Sequence, residues 1–191
     1  MKIILASKSK RRQDLLTKIG LQYEVIISTK DEVVDSNLSP LENCINISYQ
    51  KALDVMERTS GDRIIISCDT IVVKDNKIYG KPKTYDEAFK MLKLLSNTSH
   101  DVYSCLTVIM IKGDETKIYK EQGIGTVYID SMTDNEINEW IENGNPYDKA
   151  GGYAIQESFG KYVTKTTGDF YAIVGIPLNK LYRILIEIDN N

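Results

Sequence analysis

One histidine, His100, and three scattered cysteines, Cys44, Cys68 and Cys105, are all that this 191-residue chain offers toward soft-metal or thiol chemistry. The cysteine number is odd and no C-x-x-C spacing occurs, so neither a zinc site nor a disulfide framework is indicated. Small, half-buried thiols in a reducing compartment fit instead. No serine, cysteine or second histidine is spaced to partner His100, so a nucleophilic triad has no support and the residue reads as structural. Long apolar runs are also missing. The opening Met1 to Ala6 run is too short for a signal sequence or a membrane span, and the chain reads as cytoplasmic with no membrane partner. Positive charge is not in excess: 24 Lys and Arg stand against 27 Asp and Glu, a net charge of −3. A net-acidic chain has no general attraction for DNA or RNA, which argues against a nucleic-acid partner. Repeats, low-complexity tracts and linker-like stretches are absent, and one domain over residues 1–191 is the expectation.

What is present suits a soluble α/β protein. Apolar residues at 42% are enough for a sizeable core at this length. Lys2 to Ala6 reads as a short buried strand, followed by a helix with Leu15, Leu16 and Ile19 on one face and a stop at Gly20. Tyr23 to Ile27 is a second short strand candidate. Ser39-Pro40-Leu41-Glu42 is a capping box with proline at the first helical position, opening a helix to about Arg58. Arg63 to Val73 is a β-branched strand, turned by Asp75-Asn76 into a return strand ending at Tyr79-Gly80. Thr84 to Glu87 and Thr133 to Glu136 repeat the capping-box pattern ahead of helices ending near Asn97 and Gly144. Val102 to Ile111 and Thr126 to Ile129 read as strands, Gly144 to Gly152 as irregular, and Pro177 as the start of a last helix. Strands alternating with helices imply an α/β fold around a mixed sheet.

Several residues sit where chemistry is expected. The strand-to-helix junction Ser7 to Arg12 offers free backbone N–H groups, two hydroxyls and the charges of Lys10, Arg11 and Arg12 to an anion. It has no glycine-rich Walker pattern, so it is not a P-loop, and a capped surface helix is the plainer reading. Asp69 lies inside a run of isoleucines and valines, where an unpaired carboxylate is costly, so it must sit at a strand end, meet a cation or work. Thr70 next to it points its hydroxyl to the opposite side. Lys81, between Gly80 and Pro82, can meet a phosphate as a point charge. Asp31-Glu32 can hold a hard cation through oxygen. Lys51 flanks the apolar stripe of its helix, where a snorkelling role competes with a functional one.

Read together, these pieces resemble the Maf family of nucleotide pyrophosphatases. Leu5-Ala6-Ser7-Lys8-Ser9-Lys10-Arg11-Arg12 through Leu16 is similar to that family's L-A-S-x-S-P-R-R-x-x-L-L. Cys68-Asp69-Thr70-Ile71-Val72 resembles A-D-T-x-V, Gly80-Lys81-Pro82 matches G-K-P, and Asp148 to Gln156 matches D-K-A-G-x-Y-x-I-Q. Gly168-Asp169-Phe170 and Val174 to Leu178 resemble the closing G-D-Y and V-G-L-P-L. The matches come in order along nearly the whole chain.

The resemblance implies a two-lobed unit around a mixed, twisted sheet with flanking helices and a central nucleotide cleft, like inosine triphosphate pyrophosphatases. It implies that Asp69 is the general base and that Glu32 and Asp69 lie at a divalent cation, Mg2+ or Mn2+. Ser7, Arg11, Arg12, Lys51 and Lys81 would line the triphosphate. Arg11, Thr70 and Gln156 occupy the specificity positions of the dTTP/UTP branch rather than the 7-methyl-GTP branch. The implied reaction splits a nucleoside triphosphate, dTTP or UTP or a modified pyrimidine nucleotide, into monophosphate and pyrophosphate. A homodimer is a family-level expectation. Alternatives are a pyrophosphatase for non-standard purine triphosphates or 7-methyl-GTP, and a non-catalytic nucleotide-binding regulator of cell division. The chain departs from the family pattern at Lys10 (usually proline), Asn145 (often glutamate), Tyr103 to Cys105 (usually ending threonine-glycine) and Glu157 (usually glycine). Of these, Glu157 bears on substrate preference rather than on chemistry.

Overall fold

Capped amphipathic segments alternate with β-branched runs along the chain, and a computed structural model, which describes residues 1–190, turns them into helices around one sheet. The strands are β1 (Lys2–Leu5), β2 (Glu24–Val25), β3 (Arg63–Lys74), β4 (Lys77–Tyr79), β5 (Ser99–Lys112), β6 (Glu115–Ile129) and β7 (Val163–Gly168). The helices are α1 (Lys10–Lys18), α2 (Pro40–Glu57), α3 (Tyr85–Leu95), α4 (Asp134–Asn143), α5 (Phe170–Val174) and α6 (Leu178–Asp189). The seven-stranded sheet has the order β2-β1-β3-β5-β6-β7, with β4 paired to β3. β1 pairs in parallel with β2 and β3, and every other pairing is antiparallel, so the sheet is mixed as expected. Among the described residues no helix is long and apolar enough to cross a membrane.

Side-chain alternation along β3 assigns the helices to faces. Ile65 on β3 and its register partner Ile109 on β5 pack under Ala52 and Val55 of α2. On the other face, Ile64, Ile66 and Cys68 join Leu15 and Leu16 of α1 and Leu181 and Ile184 of α6. Farther along that same face, Val72, Val102 and Val127 join α3 and α4 through Leu92, Leu95, Ile137 and Trp140. Two cores therefore share one side of the sheet, and Thr70 falls between Cys68 of one and Val72 of the other. This is the two-lobed arrangement with a cleft between.

The capping boxes at Ser39 and Thr133 form as read, each with the hydroxyl accepting from the glutamate N–H three residues on and the glutamate carboxylate accepting from the cap N–H. Other expectations needed revision. The strand expected over Tyr23 to Ile27 shrinks to Glu24–Val25, both exposed on the sheet edge. The strand expected over Thr126 to Ile129 starts at Glu115 instead. Its first half pairs only with β5, and an edge strand tolerates Lys117, Lys120 and glycine where a central one would not. β7 and the five-residue α5 had no periodic signal long enough to read.

Candidate active site

The cleft exists because one strand edge is left bare. β1 pairs with β3 only over Arg63 to Ile66, and β4 only from Val72 onward. Between them, Ser67 to Ile71 has β5 on one side and no strand on the other. Asp69 and Thr70 point to opposite faces, yet both reach the same space around this edge. The resulting cavity is ≈ 1250 Å³ and takes in Ser7, Arg11, Arg12, Glu32, Lys51, Asp69, Thr70, Lys81 and Gln156. The nine residues assigned to the site from the sequence are thus brought to one place.

Four charges form its centre. The Lys51 ammonium donates to Asp69 Oδ1 at 2.9 Å and to Glu32 Oε1 at 3.0 Å, and Lys81 donates to Glu32 Oε2 at 3.1 Å. Lys51 and Asp69 are buried, and Glu32 and Lys81 face the opening. Burial works against a charge on Glu32, but the two lysines outweigh it and hold its carboxyl down at about 2. α2 carries Lys51 and also anchors the loop that delivers Glu32. Asp54 accepts from the Thr29 N–H at 2.8 Å before Glu32, and Asn43 donates to the Asp35, Leu38 and Ser39 carbonyls after it. Asp31, the other half of the acidic pair, forms no ion pair with either lysine among the described residues.

The geometry suits a hard divalent cation. One ammonium lies within hydrogen-bond distance of both carboxylates, so both carboxylates face a common point. Magnesium sites often combine one or two carboxylates with substrate phosphate and water. Among the described residues no group of three or more His, Cys, Asp or Glu side chains could hold a metal, so phosphate and water would have to complete the shell.

Beside this centre lies an arginine cradle. α1 has no side-chain cap at Ser9 and no acidic residue in its first turn, leaving N–H donors and the positive end of the helix dipole for an anion. Arg12 is buried on this helix and spends three donors inside the protein: Nε to the Gly175 carbonyl at 3.0 Å, one terminal nitrogen to Ser7 Oγ at 3.0 Å, and the other to Thr70 Oγ1 at 2.8 Å. The chain continues inward. Ser104 Oγ donates to the Ala172 carbonyl at 2.7 Å and therefore accepts from Thr70, 2.7 Å away. Thr70 must then accept from Arg12. The Thr70 hydroxyl is occupied in holding this arginine, a duty the sequence did not reveal. Lys10 turns outward to Asp14.

Next to Arg12 on α1, Arg11 donates to the Asp148 carbonyl at 3.4 Å and lies 3.8 Å from its carboxylate. Burial lowers the pKa of Arg11, and Asp148 and Glu157 act in the opposite direction. Gln156 lines the cavity with no hydrogen-bond partner for its side-chain amide among the described residues, so donor and acceptor both remain available. Asp148, Ser104 and the Gly175 carbonyl are the participants that sequence reading missed. Asp148 lies in a recognised motif with no role attached, and a carbonyl has no sequence signal at all. His100 is buried away from this chemistry, its Nε2 paired with the Tyr153 hydroxyl, in keeping with the structural reading.

The family model described as Maf-like protein matches residues 2–188. A relative named dTTP/UTP pyrophosphatase from Clostridium botulinum (strain Alaska E43 / Type E3) is 47% identical over 189 residues, covering 98% of this chain and 99% of that protein. Another of the same name, from Thermoanaerobacter sp. (strain X514), is 42% identical and covers 97% and 95%. Among solved structures, a HAM1 protein from Coxiella burnetii superposes with a TM-score of 0.42 at 15% identity, over 68% of this chain and 73% of that one.

Proposed function

The chain belongs to the Maf-like protein family, and from that premise we propose that it hydrolyses dTTP and UTP to the nucleoside monophosphate and pyrophosphate. The observation that carries the reading is the Lys51 ammonium between Asp69 and Glu32, with the Arg12 cradle beside it in a cleft of nucleotide size. A triphosphate placed there meets cationic side chains and helix N–H groups along its phosphates.

Asp69 is the general base. Its carboxylate takes a proton from the attacking water, and the Lys51 ammonium 2.9 Å away orients it for that step. Arg12, fixed by Ser7, Thr70 and Gly175, presents its charge to the phosphates without having to reorganise. Lys81 and Lys51 can turn from Glu32 toward the leaving pyrophosphate. Glu32 and Asp69 are the residues that would hold Mg2+ or Mn2+, which when bound polarises the phosphate and offsets charge on the leaving group. Arg11 and Gln156 line the same cavity, where the Gln156 amide can both donate to and accept from a pyrimidine edge.

The test is pyrophosphate release from a panel of triphosphates with Mg2+ or Mn2+, with and without chelator, for the wild type and Asp69→Asn. Chelator-sensitive turnover greatest on dTTP and UTP is expected, with Asp69→Asn folded but lower by about 10²–10⁴, the range usual for losing a general base. Turnover confined to ITP would overturn the pyrimidine assignment. Full turnover in Asp69→Asn would remove the base, and folded wild-type protein with none would overturn the hydrolase.

A further inference from the structure

Lys149 is 3% exposed, an unusual degree of burial for lysine, and takes no part in the chemistry described above. Its ammonium reaches the Asn145 carbonyl and Asp148 Oδ1 at 2.8 Å, the Gly144 carbonyl at 3.2 Å and Glu157 Oε2 at 3.3 Å. Three N–H donors facing four oxygens leave nothing over for a ligand. It stands behind the cavity wall, whereas Asp148, Gln156 and Glu157 are part of it.

The oxygens belong to two limbs of one irregular segment. The first limb, Gly144 to Asp148, carries the carbonyl and carboxylate that hold Arg11. The second ends in Gln156 and Glu157. Between them the backbone passes through left-handed conformations at Gly151 (φ 71°) and Gly152 (φ 76°), so no continuous helix or strand connects the limbs. The Lys149 ammonium bonds to both. Arg11, Asp148, Lys149 and Glu157 then alternate in sign, and Glu157 also supports the charge on Arg11. The resemblance has glycine where Glu157 stands, so the second carboxylate on Lys149 is a departure of this chain from that pattern.

We infer that Lys149 is a positioning residue for nucleobase selection: by holding Asp148 and Glu157 together it sets where Arg11 and Gln156 stand, without itself meeting the nucleotide. The inference rests on the proposed triphosphate hydrolysis and adds a residue outside the cavity to it. Among the described residues no hydrogen bond or ion pair ties Asp148, Lys149 or Glu157 to Arg12, Lys51 or Lys81, the side chains offered to the phosphates. Loosening the Lys149 tie should therefore weaken binding and discrimination while leaving the reacting end intact.

The experiment determines kcat and KM separately for dTTP, UTP and CTP in the wild type, Glu157→Gln and Lys149→Met, with thermal melts to confirm folding. Both variants are expected to raise KM for dTTP and UTP by about five- to tenfold, to hold kcat within about twofold, and to narrow the preference over CTP by a similar factor. Glu157→Gln keeps the side-chain volume and decides the matter if Lys149→Met does not fold. Unchanged discrimination, or kcat falling alike on all three substrates, overturns the inference while the hydrolase reading stands. A wild type that releases no pyrophosphate from any triphosphate removes both readings.

Discussion

At the scale of single residues, burial decides which charges are fixed and which are free to respond. Asp69 and Lys51 are buried together, and removing Lys51 would leave Asp69 as an uncompensated charge, a loss of about 3–5 kcal/mol in comparable pairs. Stability and catalysis are therefore hard to separate at Lys51, and the better residue for an isolated stability measurement is His100. Burial, with a smaller contribution from Lys74, pushes its pKa down to about 4. The unfolded chain takes up that proton near 6.5, so the unfolded state binds more protons between the two values. The stability from keeping His100 neutral is whole above about pH 6.5 and is lost as pH falls toward 4. From pH 7 to pH 5 this amounts to about 2 kcal/mol. Urea unfolding of the wild type and His100→Gln at both pH values measures it. The variant should lack about that much acid sensitivity, and parallel losses in the two proteins would show that His100 is not the group responsible.

At the scale of elements, the arginine cradle depends on how closely a short helix sits on a strand. α5 has too few residues to be stable alone and is held by packing on β6. A Cβ on Gly125 would come within 2.5 Å of Ile173 Cγ1 and 2.9 Å of the Asp169 carbonyl, so only glycine allows this approach. Just past α5 is the Gly175 carbonyl that accepts from Arg12, and within it is the Ala172 carbonyl that accepts from Ser104. Gly125→Ala should therefore cost about 1–3 kcal/mol of stability through overpacking. It should also lower kcat/KM for UTP by roughly tenfold through displaced phosphate contacts. A stability loss with unchanged kcat/KM would mean that α5 does not place Arg12. This dependence was not legible in the sequence, because a five-residue helix has no period and a glycine in a polar strand reads as a turn. The capped helices and the β3 run were legible, because hydroxyl-x-x-carboxylate spacing and β-branching are local signals. The long first half of β6 was not, because an edge strand can be as polar as a loop.

At the scale of the molecule, the site was legible as a set of residues and illegible as an arrangement. All nine candidates line one cavity, but nothing in the chain announced that Asp69 and Thr70 would share it from opposite faces. The bare edge of β3 requires β1 and β4 to pair with different stretches of the same strand, a property of the sheet rather than of any segment. That assembly brings Glu32, Asp69, Lys51 and Lys81 together as two negative and two positive charges, neutral as a group. A divalent cation arriving alone must displace ammonium groups from the carboxylates and leave them without partners. A cation arriving with a triphosphate has no such difficulty, because the phosphates take over the lysines as the carboxylates take over the cation. Cation and nucleotide should therefore bind synergistically, each raising the other's affinity by the same factor, about tenfold or more. Mn2+ titration of the protein by electron paramagnetic resonance, with and without a non-hydrolysable UTP analogue and corrected for chelation by the analogue itself, measures that factor. Equal Mn2+ affinity in the two titrations would show that the lysines do not compete with the cation, and their role would then be confined to the phosphates.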